Sequence, residues 1–287
     1  MTVGFDSYTV RRQLAGVLRA AREAAGLSTT EAAVHLGVNQ STVSRIENAQ
    51  LPITERQLSV LAQAYGVGDV ERQDWQWMLL DGANGDRWWN EPTFADYLTK
   101  PYAELIEVED AADVLTSTHL NLVPGLLQTP EYYRALCRNT PVAMTEDQVE
   151  AHVEIRRMRQ RRLEAGDGSP LRCMFFLPEP VLGYRYGDEG VHLGQLRHLR
   201  VMCDHPRVDV RLIRPDQMFE FIGINLYEFS GGDAPVAYGE SLAATTVVEK
   251  GYPFHTQRIR KMIAMAHQRA LPPAESAAMI EQRIANE

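Results

Sequence analysis

The sequence predicts two domains: an all-α head of five helices and an α+β domain with a largely antiparallel sheet. The length of 287 residues corresponds to about two domains. Up to about residue 80, apolar residues recur at three- and four-residue steps, as they do in amphipathic helices. Beyond residue 170, short runs rich in β-branched and aromatic residues indicate strands. We therefore place the head at residues 1–80 and the α+β domain at 81–287.

Each helix of the head has local signals. Leu14, Leu18 and Ala21 belong to one apolar stripe, and Gly26 follows as a stop signal. Ser28 and Glu31 have the spacing of a capping box, which predicts the start of the second helix. The predicted helices cover about residues 11–25, 28–37, 39–48, 54–65 and 69–80.

The third helix has an outward face without any acidic residue. Its apolar residues Val43 and Ile46 share the opposite face, and the turn at Gly37 joins it to the second helix in the manner of a helix-turn-helix. Gln and Arg can form bidentate hydrogen bonds with adenine and guanine, and Ser can bond to either base. The outward face consists of Gln40, Ser41, Ser44, Arg45 and Asn48. The pattern therefore favours binding to double-stranded DNA, although an all-helical module that binds only protein stays open.

Charge is distributed unevenly along the chain. Residues 1–66 contain six arginines and five acidic residues, a net charge of +1, whereas the whole chain carries −9. The remainder is therefore at −10. A nearly neutral head whose cations are all arginines can approach a polyanion, and the acidic remainder argues against a wholly basic nucleic-acid binder.

The stretch GLSTTEAAVHLGVNQSTVSRIENAQ resembles the XRE family of helix-turn-helix regulators, over about residues 10–68. The resemblance implies that the third helix enters the major groove and that two heads occupy two half-sites, so we expect a homodimer. It also implies an ion pair between Arg22 and Glu47. The implied base-reading residues are Gln40, Ser41, Ser44 and Arg45, and the implied phosphate contacts are Thr29, Asn39 and Asn48.

The α+β domain has a helical part at about 88–165 and a sheet-containing part at about 170–270. The predicted helices are 94–99, 101–117, 130–137, 145–164, 191–203 and 254–269. The predicted strands are 171–177, 208–213, 222–229 and 236–240, with a further strand near 244–249. Pro178 and Pro180 predict that the first of these strands is short or lies at an edge.

This domain resembles the C-terminal domain of WhiJ-type and Scr-type actinobacterial regulators, over residues 88–280. The strings that carry the resemblance are VPGLLQTPEY at 123–132, the helix with Arg156, Arg159, Gln160 and Leu163, and the strand with Tyr238 and Glu240. The resemblance implies DNA-binding regulators that are often encoded beside a small partner protein. We therefore expect a dimeric transcription regulator controlled through this domain by a small partner protein. The alternative is control by a small-molecule effector, either a metabolite or an autoregulator.

Five residues are candidates for a partner or ligand surface: Trp88, Trp89, Arg156, Arg159 and Glu240. The four tryptophans between residues 75 and 89 either pack between the domains or form an aromatic cage. The five arginines between residues 156 and 162 either bind phosphate or an acidic partner, or pair with Glu150, Glu154 and Glu164 at helical spacing. The role of this arginine cluster stays open at the level of sequence.

Several classes of protein are not indicated. No apolar run reaches the ~18 residues of a membrane span, and the N-terminus does not have the pattern of a signal peptide. The three cysteines include no CxxC pair, which fits a reducing cytoplasm, so we expect a cytoplasmic protein that joins the nucleoid when it binds DNA. We find no metal-ligand spacing, P-loop or G-x-S-x-G motif. We therefore expect no cofactor, no metal and no enzymatic activity.

Overall fold

The structure is a computed structural model, and it describes residues 8–84, 87–141, 143–164, 170–220, 222–230, 235–240, 245–250 and 253–287. It divides into two units, Met1–Trp88 and Trp89–Glu287. We refer to them as the head and the body.

The described part of the head consists of five helices, as predicted. They are α1 (Tyr8–Ala24), α2 (Thr29–Leu36), α3 (Gln40–Ile46), α4 (Glu55–Ala64) and α5 (Asp69–Asn84). Their shared core includes Leu14, Leu18, Leu58, Leu61 and Trp75, each almost fully buried. Burying a large apolar side chain stabilises a fold by about 1.5–3 kcal/mol, so this core holds the short helices together.

The turn between α2 and α3 is set by local chemistry. Gly37 has a φ of +67°, a left-handed conformation that glycine adopts without strain, and it ends α2. Asn39 then caps α3, since its side chain accepts a hydrogen bond from the backbone N–H of Thr42. Ser28 and Glu31 form the capping box at the start of α2. The α2–turn–α3 arrangement is therefore the predicted helix-turn-helix.

The body contains a six-stranded sheet among the residues that the structure describes. The order is β3-β2-β1-β4-β5-β6. The strands are β1 (Val114–Thr118), β2 (Arg172–Pro178), β3 (Val208–Ile213), β4 (Ile224–Glu228), β5 (Val236–Glu240) and β6 (Thr245–Lys250). Its helices are α6 (Pro92–Ala95), α7 (Lys100–Ala111), α8 (Pro130–Arg138), α9 (Glu146–Gln160), α10 (Glu189–Cys203), α11 (Pro253–Arg269) and α12 (Pro273–Ala285).

The prediction of a largely antiparallel sheet is wrong, because the sheet is mixed. β1 pairs with β2 and β2 pairs with β3 in parallel, whereas β4, β5 and β6 join antiparallel. Parallel neighbours need a crossover of a dozen or more residues. Here α8 and α9 lie between β1 and β2 in the chain, and α10 lies between β2 and β3. The parallel half of the sheet therefore follows from the helical connections.

Two local predictions for the body are also wrong. The helix expected at 101–117 ends at Ala111, and Val114–Thr118 is instead the central strand β1, which is paired on both sides. The strand that ends at Pro178 is not at an edge, since β2 lies between β1 and β3. Thr118, the last residue of β1, pairs with Phe176, so Pro178 lies beyond the end of β1. Its missing N–H therefore costs no bond to β1.

The two faces of the sheet differ in character. On one face, Phe176 and Leu226 belong to apolar clusters that include Ala266 and Ile259 of α11. On the other face, the register aligns Ser117 of β1 with Asn225 of β4, and Tyr227 donates a hydrogen bond to Glu109 of α7. The second face is therefore polar at its centre. Within the described residues, no helix is long and apolar enough to cross a membrane.

Candidate nucleic-acid interface

The N-terminal end of α3 is fixed by hydrogen bonds to its own cap and to α2. Asn39 Oδ1 accepts from the backbone N–H of Thr42 at 2.9 Å and from the Ser41 hydroxyl at 2.7 Å. Gln40 Nε2 donates to Thr29 Oγ1 at 3.0 Å, and Thr29 is the first residue of α2. This bond joins the side chains of the two helices at the end of α3 where Gln40 is exposed.

The C-terminal end of α3 is held by an ion pair with α1. Arg22 Nε donates to Glu47 Oε1 at 2.7 Å and Arg22 Nη2 donates to Glu47 Oε2 at 3.0 Å, a bidentate geometry. Both residues are buried, and the hydrogen bond with Glu47 raises the pKa of Arg22. Arg22 Nη1 also donates to the carbonyl of Leu27, so the same guanidinium fixes the segment that leads into α2.

A second arginine of α1 contacts the same end of α3. Arg19 Nη2 donates to the carbonyl of Glu47 and to Asn48 Oδ1, both at 2.6 Å. Asn48 Nδ2 in turn donates to the carbonyl of Ser44 at 2.7 Å. Sequence reasoning missed Arg19. The available signal was its position one helical turn before Arg22 on the same helix.

The outward face of α3 lies at the surface. Gln40, Ser41 and Arg45 are exposed and Ser44 is half-buried, whereas Val43 and Ile46 are buried on the opposite side. The Arg45 guanidinium forms no hydrogen bond or ion pair with the part of the chain that the structure describes. Its fork of donors is therefore available for an external acceptor.

The three residues predicted to contact phosphate differ in which of their hydrogen-bond donors are still unused within the head. Thr29 accepts from Gln40 and keeps its hydroxyl proton for donation. The Oδ1 atom of Asn39 is occupied by the cap, which leaves its amide nitrogen. Asn48 uses both of its amide atoms inside the head. Asn48 Nδ2 also donates to Ser44 Oγ at 3.4 Å. A phosphate role for each of the three stays a prediction, and Asn48 would have to give up one of these bonds to make it.

A carboxylate lies at the start of α2. Glu31 Oε2 accepts from the backbone N–H and the hydroxyl of Ser28, at 2.8 and 2.7 Å. These bonds lower the pKa of Glu31, which keeps it ionised. The charge stabilises the helix terminus, and it also opposes the approach of a phosphate to that terminus.

Of the five candidate residues for a partner or ligand surface, two are buried, two are half-buried and the side chain of the fifth is not described. Arg159 is 5% exposed and binds Glu109 through two hydrogen bonds, so it does not contribute to a partner surface. Trp89 is buried and Trp88 is half-buried. Arg156 is half-buried, with its guanidinium carbon 3.4 Å from the centre of the Tyr133 ring. The side chain of Glu240 lies outside the described residues.

The arginine cluster of α9 is divided among different partners. Arg157 pairs with Glu154, as the helical spacing predicts, and Arg162 lies 3.7 Å from Asp110. Glu150 instead pairs with Arg134 of α8, at 2.6 Å. Arg156, Arg159 and Arg162 therefore contact other segments of the body, whereas Arg157 pairs within α9. In the described part of the chain, no group of three or more His, Cys, Asp or Glu residues is arranged to hold a metal ion.

Two protein-family models match the chain. A family model described as Helix-turn-helix domain matches residues 13–75, which include α2 and α3. A second model, described as Domain of unknown function (DUF5753), matches residues 102–282, which is more than half of the chain. No curated protein and no solved structure matches the chain. The helix-turn-helix domain, with its exposed α3 face, indicates a DNA-binding regulator. The chain belongs to the DUF5753 family and carries a helix-turn-helix domain at its N-terminal end.

Proposed function

We propose that the protein is a sequence-specific DNA-binding transcription regulator and that α3 reads base edges in the major groove. The observation that carries this proposal is the combination of fixed helix ends and a free outward arginine. Gln40 ties one end of α3 to α2, and Glu47 ties the other end to α1. Between them Arg45 is exposed without a partner among the described residues.

This combination suits direct readout of DNA. A guanidinium binds the O6 and N7 atoms of guanine through two parallel hydrogen bonds, which discriminates against other bases by about 1–3 kcal/mol. Such a contact needs the helix to be held in one orientation before binding. Ser41 and Ser44 lie beside Arg45 on the same face and can bond to either base of a pair.

We further propose that the regulator acts as a homodimer on two half-sites about one helical turn apart, because a single helix-turn-helix contacts few base pairs. In this proposal the body of the regulator receives the regulatory signal by binding a small partner protein. Val201 is 64% exposed and Ile222 is 50% exposed, so these two positions of the body are the first at which a protein contact would be tested. A small-molecule effector is the alternative.

The test has two stages. Genome-wide binding of the tagged protein would identify the operator, and footprinting would then measure the spacing of its half-sites. On that operator, Arg45→Ala is expected to weaken binding by about 1–3 kcal/mol and to relax the preference at one position of each half-site. Thermal stability should stay the same, because the Arg45 side chain forms no hydrogen bond or ion pair in the described part of the head and the substitution keeps its backbone bonds.

The matched control is Arg197→Ala, which removes an exposed arginine from α10 of the body. It is expected to leave operator affinity unchanged. Operator binding by Arg45→Ala with the affinity and base preference of the unaltered protein would contradict the proposal.

A further inference from the structure

Helix α5 of the head carries two large apolar side chains on its outer side. Val70 is 75% exposed and Trp77 is 69% exposed, whereas Trp75 of the same helix is buried in the core. Val70 and Trp77 are seven residues apart, so they share one face, and Asp74 lies between them within about 40° of Val70. Asp74 is exposed and forms no ion pair with a described residue. We call these three residues, Val70, Asp74 and Trp77, the α5 stripe.

Helix α11 of the body differs in charge from the other helices of its domain. It contains no aspartate or glutamate, and its cations are Arg258, Arg260, Lys261 and Arg269. Each of the other described helices of the body with eight or more residues contains at least one acidic residue. Because the chain beyond residue 66 is acidic overall, α11 is a positively charged element in an acidic domain.

The outer side of α11 combines two unpaired cations with an apolar side chain. Arg258, Lys261 and Met265 lie within about 60° of one another around the helix, and all three are exposed, Met265 by 38%. Another side of α11 packs in the apolar clusters of the sheet, where Ile259 and Ala266 are buried. The side chains of Arg258 and Lys261 form no hydrogen bond or ion pair with a described residue. We call Arg258, Lys261 and Met265 the α11 stripe.

The two stripes match in spacing when the helices are antiparallel. Each stripe spans seven residues, or about 10 Å along its helix. In each stripe the charged middle residue, Asp74 or Lys261, is three residues from one end and four residues from the other. The antiparallel arrangement therefore gives three opposed pairs: Trp77 with Arg258, Asp74 with Lys261, and Val70 with Met265.

The two stripes also match in chemistry. An indole ring is the best aromatic partner for a guanidinium, which suits Trp77 opposite Arg258. Asp74 and Lys261 have opposite charges, and the unbranched side chain of Met265 adapts to an apolar neighbour such as Val70. Two α5 stripes packed together would instead bring Asp74 close to its own copy, and two α11 stripes would bring cations together. Each stripe is therefore complementary to the other and not to itself.

We infer that the chain forms a dimer in which the α5 stripe of one copy packs antiparallel against the α11 stripe of the second copy. A two-fold axis makes this contact twice, since α5 of each copy meets α11 of the other. The partner is a second copy, because both stripes are exposed in the single chain and each one carries the charges that the other lacks. The inference rests on the proposed homodimer and names its interface, whereas the reading of DNA by Arg45 does not depend on it.

The test measures the self-association of the full-length protein without DNA, by sedimentation velocity at a series of protein concentrations. Asp74→Arg places a cation opposite Lys261 in both contacts, and Lys261→Glu places an anion opposite Asp74 in both contacts. Each variant is expected to weaken dimerisation by at least about tenfold, because like charges oppose each other across the interface. Both side chains are exposed and without a described partner, so the variants should fold.

An equimolar mixture of the two variants distinguishes this contact from others. In a mixed dimer, the introduced arginine of one chain is opposite the introduced glutamate of the other, and the second contact keeps the original pair of Asp74 and Lys261. The mixture should therefore dimerise nearly as strongly as the unaltered protein. Mixing restores neither a contact within one chain nor a variant that has failed to fold.

A third variant and two controls complete the test. Trp77→Ala removes the largest apolar group of the contact and should weaken dimerisation by at least about tenfold, as truncation of a central tryptophan does in other interfaces. Glu71→Arg in α5 and Arg197→Glu in α10 make the same kinds of charge change at exposed positions outside the two stripes. Both controls should dimerise like the unaltered protein.

Three results would each overturn the inference. The first is an unaltered protein that is monomeric at every concentration, which would leave the stripes for a contact within the chain or with a partner protein. The second is undiminished dimerisation of Asp74→Arg or of Lys261→Glu, and the third is a mixture that stays as weak as the two variants alone. A dimer that is insensitive to both charge reversals would remove this interface and keep the proposed homodimer. The base preference tested by Arg45→Ala is measured separately on the operator.

Discussion

Arg22 and Glu47, which are 25 residues apart in the chain, form a bidentate ion pair inside the head with N–O distances of 2.7 and 3.0 Å. The Glu47 side chain is 3% exposed and the Arg22 side chain is 11% exposed. The pair joins α1 to the residue that follows α3, the helix that carries the candidate DNA-reading face. Its integrity is therefore relevant both to the stability of the head and to the orientation of α3.

Removing one member of this pair should destabilise the head strongly. Glu47→Ala removes the buried carboxylate from Arg22 and leaves it only the exposed Glu23, at 3.5 Å, so the loss is expected to be about 3 kcal/mol. Hydrogen exchange of the α1 and α3 amides would measure the loss in the head separately from the body. Asp69→Ala removes the partner of Arg72 in an exposed pair and should cost less than about 1 kcal/mol. Equal losses in the two variants would show that the buried pair has no special weight.

Arg19 is predicted to position α3 without contacting DNA. Arg19→Met removes the bonds to Glu47 and Asn48, so the end of α3 should lose exchange protection and operator affinity should fall about tenfold, or ~1.4 kcal/mol. Arg19→Lys should restore part of the affinity. The measurement that distinguishes positioning from DNA contact is the slope of the logarithm of operator affinity against the logarithm of salt concentration, which should not change in Arg19→Met. A slope that becomes shallower by the amount of about one phosphate contact would instead place Arg19 on the DNA backbone.

Glu31→Gln is predicted to strengthen DNA binding. The glutamine can still serve as the third residue of the capping box, so α2 should keep its N-terminal structure. Thr29, which is predicted to contact a phosphate, lies in the same first turn of α2 as Glu31. Loss of the carboxylate therefore removes a negative charge close to the expected position of that phosphate. Operator affinity is expected to rise by about two- to fivefold, the effect of one charge at a helix terminus. Glu189→Gln at the start of α10 should have no effect, and an unchanged affinity of Glu31→Gln would argue that phosphate binds elsewhere.

The body is predicted to lose stability as the pH falls from about 6.5 to about 4. Burial lowers the pKa of His152 to about 4, whereas its unfolded value is 6.5. The neutral form is favoured by folding, so the stabilisation is complete above pH 6.5 and is lost as the pH falls through this window, since the unfolded chain then binds the proton more readily. The loss at this residue should be about 2 kcal/mol, at 1.4 kcal/mol per pKa unit reduced for partial exposure.

The variant His152→Phe keeps the aromatic contact with Tyr102, whose ring is stacked on that of His152 at 6.0 Å. We expect its free energy of unfolding, measured by denaturation at a series of pH values, to change less with pH in this window. The difference from the unaltered protein should correspond to the uptake of about one proton on unfolding. Some dependence should remain, because burial also lowers the pKa values of His192, His198 and His267. His35→Gln, at an exposed position of α2, is the control and should retain the full dependence. The prediction would be contradicted if the stability of His152→Phe depended on pH as strongly as that of the unaltered protein.

The head could be read from sequence because its information is local. The capping box of Ser28 and Glu31, the left-handed Gly37 and the cap Asn39 each act within a few residues, and all of them are present in the structure. The apolar face of Val43 and Ile46 then determines which side of α3 is buried. The exposed position of Arg45 follows from this periodicity alone.

The body was less predictable because its central features are made by residues far apart in the chain. Val114–Thr118 is a strand because β2 and β4 pair with it on both sides, from positions about 60 and 110 residues later. Local apolar spacing cannot distinguish such a short buried strand from the end of a helix. The direction of β2 and β3 was likewise determined by the helices that connect the strands.

The amino-acid sequence by itself determined the helices of the head, their caps and the outward side of α3, because these depend on the chemistry of neighbouring residues. Tertiary structure alone decided which groups meet across the chain: Arg19 with Asn48, Arg159 with Glu109, and Ser117 with Asn225. Each of these contacts joins two elements whose relative position depends on packing of the whole unit. Burial by that packing also decides which arginines stay at the surface, since a guanidinium enters the interior only where a carboxylate is already placed to receive it.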